Sequence, residues 1–321
     1  MTDRRTGKPA HTAGDDAGAD RDTHRVTIDR RSLLAGAVLA GAASTPLVCA
    51  ASTIGGMDLN DPLQRSALRT RIIGSIAEEE VHSLYRMHIY AHLPGGNTQP
   101  LFTLLNYNIV RWEPAADGRY VGQSFESGVV TEFDTNNALT SWSNPLTGET
   151  REVWHFLGGP IKVTLGPDGV ETDENATLKP EPLEIVSLGG FVFVPTQSSF
   201  SFPNPFRPEK WPKESAGERF YWDSFYTFAA RADDLLNSDA PSVPAAVQFQ
   251  NLVSWHPWLG MGQRDGRTFG RACGAKLAGN DALPGDVRRA LEAHTPEIFD
   301  LDGWEKPRND FMDFAAARKP T

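Results

Sequence analysis

The sequence contains very little cysteine, which excludes a fold held together by disulfides. Among its 321 residues only Cys49 and Cys273 are cysteines. Cys49 lies in an N-terminal segment that we expect to be removed, so Cys273 is left without a partner for an internal disulfide. Stability therefore has to come from the burial of a hydrophobic core, for which a chain of this length is sufficient.

Positive charge is also in short supply. The chain carries 31 lysines and arginines against 41 aspartates and glutamates, a net charge of −10 at pH 7. An acidic surface repels phosphate groups, so nucleic acid and anionic membranes are not expected partners. The sequence also lacks a Gly-x-Gly-x-x-Gly turn after a strand, a Walker loop, a Gly-x-Ser-x-Gly turn and a His-Glu-x-x-His helix. We therefore predict no nucleotide cofactor and assign no metal ligands.

No hydrophobic run is long enough to be a clear membrane span. The longest, residues 33–48, has about sixteen residues rich in glycine and alanine, whereas a span needs roughly 20. Arg30-Arg31 stands just before this run and Ala50 closes it, a pattern that resembles the leader of the twin-arginine export route. Lipid attachment at Cys49 is the alternative, but it requires a small residue where Val48 stands.

The leader defines the predicted domain organisation. We expect a signal peptide over residues 1–50, a linker over 51–60 and a single β-rich domain over 61–321. The twin-arginine translocation machinery is then the export partner, and the periplasm or the extracellular space is the destination. No stable membrane insertion is expected after cleavage.

Beyond the linker the hydrophobic pattern mostly has a period of two, which is typical of β-strands. Turn-forming pairs such as Asp117-Gly118 and Asn144-Pro145 separate the segments. This pattern predicts a mainly β fold: an antiparallel barrel-like or strongly curled sheet with a few peripheral and C-terminal helices. The candidate strands are 81–93, 101–112, 120–133, 152–156, 161–165, 183–188, 191–194, 219–230 and 247–255.

Three candidate helices and one long insert complete the predicted architecture. Asp61-Pro62 and Leu283-Pro284 are typical helix starts, and a third helix is predicted over 310–318. The insert, residues 195–213, contains three phenylalanines and one tryptophan. Because such a composition does not favour disorder, we predict that it packs as a lid over one end of the sheet.

The predicted strand 81–93 carries the most conspicuous polar side chains. Alternation places Arg86, His88 and Tyr90 on one face, together with His82 and His92, and hydrophobic residues on the other. On the inner wall of a barrel, these groups would supply a cation, an acid/base and a phenol hydroxyl to a ligand with an anionic or enolisable oxygen. On an outer wall they would be solvated or paired across strands, which is the commoner arrangement.

Two other strands supply further candidates. Asp223 lies in a strand that is aromatic on both faces, including Trp222, and is expected to pair with Arg86 or His88 as an orienting group or a structural ion pair. His256 is a candidate second acid/base, and Trp255 and Trp258 beside it could line a pocket or plug a barrel. The default interpretations of Glu126, His155 and Cys273 are a surface carboxylate, a strand-end histidine and a buried thiol.

Three segments resemble the family called domain of unknown function 1838. They are Asn144-Pro145-Leu146-Thr147-Gly148-Glu149, Ser254-Trp255-His256-Pro257-Trp258-Leu259-Gly260-Met261-Gly262 and Pro307-Arg308-Asn309-Asp310. The resemblance runs from about residue 60 to the C-terminus. It implies a single domain and export, and it assigns no catalytic residue.

These features lead to one leading functional hypothesis and two alternatives. The first is an exported protein that handles a small, apolar or amphipathic molecule with a polar or anionic group, possibly as a cofactor-independent lyase, hydratase or isomerase. In that enzyme His88, Arg86, Asp223 and His256 are the candidate catalytic residues, and Tyr90, Trp222, Trp255 and Trp258 contact the ligand. The alternatives are a non-catalytic, lipocalin-like carrier and a metal-dependent hydrolase.

Overall fold

The computed structural model of the chain describes residues 53–115, 117–166, 169–172, 184–300, 313–314 and 317–318. The predicted leader and the greater part of the predicted helix 310–318 lie outside these residues. In the described part no helix is both long and apolar enough to cross a membrane.

A ten-stranded antiparallel sheet forms the body of the protein, and two short two-stranded sheets accompany it. The order of strands in the large sheet is β10-β11-β12-β13-β14-β3-β4-β5-β8-β9. The strands are β1 Thr53–Ile54, β2 Met57–Asp58, β3 Glu80–His92, β4 Gln99–Pro114, β5 Tyr120–Thr131, β6 Ser141–Ser143, β7 Thr150–Glu152, β8 Phe156–Gly166, β9 Gly169–Thr172, β10 Val186–Leu188, β11 Phe191–Pro203, β12 Arg219–Arg231, β13 Ala246–Val253 and β14 Arg267–Leu277.

The mainly β, antiparallel prediction is confirmed, whereas closure into a barrel is not observed. The two edge strands of the large sheet, β9 and β10, do not pair with each other in the described part of the chain. The sheet is nevertheless curled, because the helix Pro62–Ile73 contacts both β12 and β8, which are far apart in the strand order. We call the face toward this helix the inner face and the opposite one the outer face.

Two helices pack on opposite faces of the sheet. The first, α1, spans Pro62–Ile73 and begins as predicted, since the Asp61 side chain accepts a hydrogen bond from the Leu63 amide at 2.9 Å. The second, α2, spans Gly285–His294 and buries Val287 and Leu291 against the outer face. Short 3₁₀-helices lie at Asp233–Leu236, Pro257–Leu259, Asn280–Ala282 and Pro296–Phe299.

The C-terminal end of α1 is held by a lysine from the sheet. The Lys276 ammonium group donates to the carbonyl oxygens of Gly74 at 2.7 Å and Arg71 at 3.2 Å, and to the Ser242 hydroxyl at 2.6 Å. A cation at this position complements the negative end of the helix dipole. These contacts fix α1 against one end of the inner face.

The predicted lid is partly strand. β11 continues to Pro203 and pairs with β12 over its whole length, so residues 195–203 belong to the sheet. The remainder of the insert does pack, because Phe206 is fully buried and Trp211 is nearly so. These rings join Trp142, Trp255 and Trp258 in the core cluster on the inner face. An unfilled space remains beside residues of this cluster.

Candidate functional site

This space is a cavity of about 100 Å³ on the inner face of the sheet. Strands from both halves of the curled sheet contribute to its wall, and a loop residue, His256, completes it. The side chains that line it are mostly aromatic or aliphatic, with a few polar groups among them. They are Tyr85, Met87, Ile89, Phe102, Leu104, Asn106, Glu126, Phe156, Trp222, Tyr226, Phe249, Asn251, His256 and Thr268.

Glu126 is the acidic residue in the cavity wall. It lies on β5 where the pairing with β8 is irregular, between Ser124 and Glu126, and its carboxyl group faces the cavity. Burial raises the pKa of Glu126, and a hydrogen bond from the Asn106 side chain opposes this shift. The side chain is half-buried and lines the cavity, and burial removes part of the hydration of its carboxyl group. A partly desolvated carboxyl group with a raised pKa is suited to exchanging a proton with a bound molecule.

Two tyrosines accompany this carboxyl group. Burial raises the pKa of both Tyr85 and Tyr226, and the negative charge of Glu126 raises both pKa values further. The Tyr226 ring stacks on Phe249 with 4.2 Å between the ring centroids, which holds it in place. Both phenols therefore stay protonated and can donate hydrogen bonds into the cavity.

His256 and Trp222 also line the cavity. The Trp222 indole donates to the Ser224 hydroxyl at 2.6 Å, and its ring meets the His256 imidazole edge-on at 6.1 Å between centroids. Burial lowers the pKa of His256 to about 4, so the imidazole is neutral at pH 7. A neutral imidazole can donate or accept one hydrogen bond but is a weak base here.

Glycines in the sheet make room for the cavity side chains. A Cβ atom on Gly270 would collide with the Asn251 amide and the Met87 sulfur, and one on Gly128 would collide with the Phe156 ring. All three displaced side chains line the cavity. The glycines therefore help to set which polar groups reach the space and how large it is.

The polar side chains of the strand 81–93 do not line this cavity. The alternation was assigned correctly, but the cavity lies on the side of Tyr85, Met87 and Ile89, so Arg86, His88 and Tyr90 face the opposite way. Each of the three has partners on the outer face. Arg86 donates to the Asn136 side chain and to the Thr135 carbonyl, His88 lies 3.2 Å from the Asp134 carboxylate, and Tyr90 packs against Phe133 and Phe269.

Asp223 also lies on the outer face and does not join the predicted set. Its carboxylate is 3.7 Å from the Arg267 guanidinium rather than next to Arg86 or His88. This ion pair is partly exposed, with 40% of the Arg267 side chain and 32% of the Asp223 side chain accessible. The four predicted catalytic residues are therefore not brought together, and His256 alone of them lines the cavity.

The three predicted tryptophans have different positions. Trp222 lines the cavity. Trp258 is buried behind it against Phe102 and Trp142, and Trp255 is buried with its indole donating to the Arg264 carbonyl at 2.8 Å. The last two are buried core residues that do not line this cavity.

The first two segments that carried the family resemblance pack against each other, and the third, 307–310, lies outside the described residues. The Asn144 amide donates to the Leu259 carbonyl at 2.9 Å, while its oxygen accepts from the Leu146 amide at 2.8 Å. Arg151 donates to the Trp258 carbonyl at 3.2 Å and pairs with the buried Glu214 at 3.0 Å. These contacts hold the loop that places His256 in the cavity wall.

Within the described ranges there is no cluster of three or more histidine, cysteine, aspartate or glutamate side chains that could hold a metal ion. His155 and His294, whose ring centroids are 4.1 Å apart, do not form such a cluster with other residues of those ranges.

Comparisons with known proteins give a family but no activity. A family model described as "Protein of unknown function (DUF1838)" matches residues 78–310. No curated protein matches the chain. Among solved structures, the chain has 10% identity with "Crystal structure of MucB in complex with MucA(peri)", over 72% of this chain and 95% of that one, with a TM-score of 0.13. That score is too low to relate the two folds.

Proposed function

Since the chain belongs to the DUF1838 family, which brings no assigned activity, we propose its function from the cavity itself. We propose that the inner-face cavity takes up a small, largely apolar molecule and that Glu126 exchanges a proton with it. The observation that carries this proposal is a partly desolvated carboxyl group with a raised pKa, set among aromatic rings and beside two phenol hydroxyls.

This arrangement supports removal of a proton from a carbon next to a carbonyl group. The C–H bond breaks, the proton passes to Glu126, and the electron pair moves to the carbonyl oxygen. A hydrogen bond from Tyr85 or Tyr226 stabilises the resulting enolate. Return of the proton to another carbon completes an isomerisation, and departure of a leaving group completes an elimination. Both reactions fall within the lyase and isomerase classes and need no nucleotide cofactor.

The polar group of the ligand is no longer expected to be an anion. The sequence-based hypothesis assigned an anionic group to Arg86, which lies on the outer face. None of the lining residues is a lysine or an arginine, and a second negative charge beside Glu126 would be repelled in a desolvated site.

Hydrogen–deuterium exchange of butanone in D2O tests the proposed function. Wild-type protein is expected to exchange the protons next to the carbonyl group at least tenfold faster than buffer, as followed by NMR. The variant His88→Ala is expected to exchange at the wild-type rate, because His88 lies on the outer face. Exchange no faster than buffer, or its loss in His88→Ala, would contradict the proposal.

A non-catalytic carrier is the alternative, and the predominance of hydrophobic side chains in the wall favours it. A carrier would bind butanone without speeding its exchange. Binding seen by ligand-detected NMR together with exchange at the buffer rate therefore identifies the carrier.

We further propose that the protein is exported by the twin-arginine route, supported by Arg30-Arg31 and the short run that ends at Ala50. Replacing both arginines by lysine is expected to reduce the amount of processed, exported protein at least tenfold in fractionated cells, because the export machinery recognises this pair. Equal export of the two forms would rule the route out.

A further inference from the structure

The charge balance of the cavity wall is unusual for a buried site. Glu126 contributes a carboxyl group, and six aromatic rings surround the same space, namely those of Tyr85, Phe102, Phe156, Trp222, Tyr226 and Phe249. No arginine or lysine is among the residues that line it. A buried carboxylate normally needs a cation or several hydrogen-bond donors, and Glu126 has the amide of Asn106.

Two basic residues on the inner face, Arg69 and Lys276, are engaged with other groups. Arg69 of α1 donates to the Thr196 hydroxyl at 2.9 Å, and Lys276 is held by the carbonyls at the end of α1. Neither residue lines the cavity. A positive charge beside Glu126 would therefore have to come from the ligand.

Aromatic rings and the overall charge both favour such a ligand. The faces of aromatic rings attract organic cations, most strongly where water is excluded. The chain has a net charge of −10, so its long-range field concentrates cations near the surface and repels anions. Both effects act in the same direction as the carboxyl group.

We propose that the cavity binds a small organic ammonium ion, whose N–H group pairs with the Glu126 carboxylate while its alkyl groups pack against the aromatic rings. This inference rests on the proposed cavity site and is independent of the reaction proposed for it. An ammonium ion carries a proton of its own, and the carboxyl group of Glu126 is proposed to exchange protons. One hydrogen bond from the ammonium N–H group to the carboxylate suits both properties.

The size of the cavity limits the ligand. An apolar cavity of about 150 Å³ is known to hold benzene, so the 100 Å³ observed here accommodates about four or five non-hydrogen atoms. Isopropylammonium, isopropanol and acetate each have about four such atoms and differ mainly in charge. A primary ammonium group stays protonated at pH 7, as in lysine.

Ligand-detected NMR titration with these three probes tests the inference. Wild-type protein is expected to bind isopropylammonium at least tenfold more tightly than isopropanol, and acetate at least tenfold more weakly than isopropanol. In Glu126→Gln the ammonium ion should lose at least tenfold in affinity while isopropanol is unchanged, which also shows that the variant is folded. Glu209→Gln removes one exposed charge away from the cavity and should retain the wild-type preference.

Equal binding of the ammonium ion and isopropanol by wild type, or a preference that survives in Glu126→Gln, would overturn the inference. The two proposals fail separately. Butanone exchange without an ammonium preference overturns only the ligand class. An ammonium preference that depends on Glu126, without butanone exchange, overturns only the proton-transfer reaction.

Discussion

Replacing Glu126 by glutamine is expected to lower the rate of butanone proton exchange by roughly 10²- to 10⁴-fold, the usual contribution of a positioned general base. Glutamine keeps the shape of the side chain and its place beside Asn106, but it cannot accept the proton. The effect should fall on the chemical step, because the rings that pack against the ligand are unchanged. Exchange rates measured by NMR at saturating butanone provide the comparison.

Two further measurements separate this loss from unfolding or from a general change of charge. Glu209→Gln, an exposed substitution of the same kind, should retain the wild-type rate. The thermal midpoint of Glu126→Gln should equal or exceed that of wild type, because the variant no longer buries an ionisable carboxyl group.

In wild type the rate of butanone exchange should rise with pH through a midpoint above 4.5, since the ionised form of Glu126 is the base and burial raises its pKa. A variant that keeps more than a tenth of the rate excludes Glu126 as the base.

The sequence predicted the strands well because alternation is a local property. In β3 the buried residues Tyr85, Met87 and Ile89 alternate with half-buried ones from residue 83 to residue 91, as the pattern indicated. β13 shows the same period, with Val247 and Phe249 buried between exposed glutamines. Helix α1 was also predicted at its start, because the Asp61 cap and Pro62 act within a few residues of each other.

The choice of face could not be predicted, because it depends on what covers each side of the sheet. Arg86 and His88 lie on a face that is covered in part by the loop 132–138, through Asn136 and Asp134. Asn136 in turn donates to Asp286 at the start of α2, about 150 residues further along the chain. The residues of β3 alone do not predict either of these contacts.

Glu126 was missed for a related reason. Its neighbours on the same face of β5 include Gly122, Ser124 and Gly128, which is typical of a solvent-facing strand surface. The available signal lay in the next strand, where residues 101–107 of β4 are buried on both faces, as expected of a strand in the middle of a covered sheet. A carboxylate on a strand beside such a partner is a candidate for burial. The glycines next to it provide space for Phe156 and for the cavity instead of marking a surface.

Acidification is expected to weaken the native state through His256, and His256→Phe should remove that weakness. The histidine has a pKa of about 4 in the folded protein against about 6.5 in an unfolded chain. As the pH falls, the His256 imidazole is therefore protonated near pH 6.5 in the unfolded state but only near pH 4 in the native state. The contribution of His256 leaves the free energy of unfolding unchanged above pH 6.5 and lowers it as the pH falls from 6.5 to 4. By pH 4 the free energy of unfolding has fallen by about 2 kcal/mol, a figure that allows for partial access of water from the cavity.

The test is the difference between two urea-unfolding series from pH 7 to pH 4. Glu126 acts in the opposite direction, because its raised pKa lets the native state take up a proton first and so gain stability as the pH falls. Other carboxyl groups titrate in the same range, but they are common to wild type and variant. The wild type should lose about 2 kcal/mol more than His256→Phe across the window, and the exposed control His92→Phe should follow wild type. Parallel curves for wild type and His256→Phe would mean that the imidazole is solvated, and the cavity wall beside Trp222 would then be open to water.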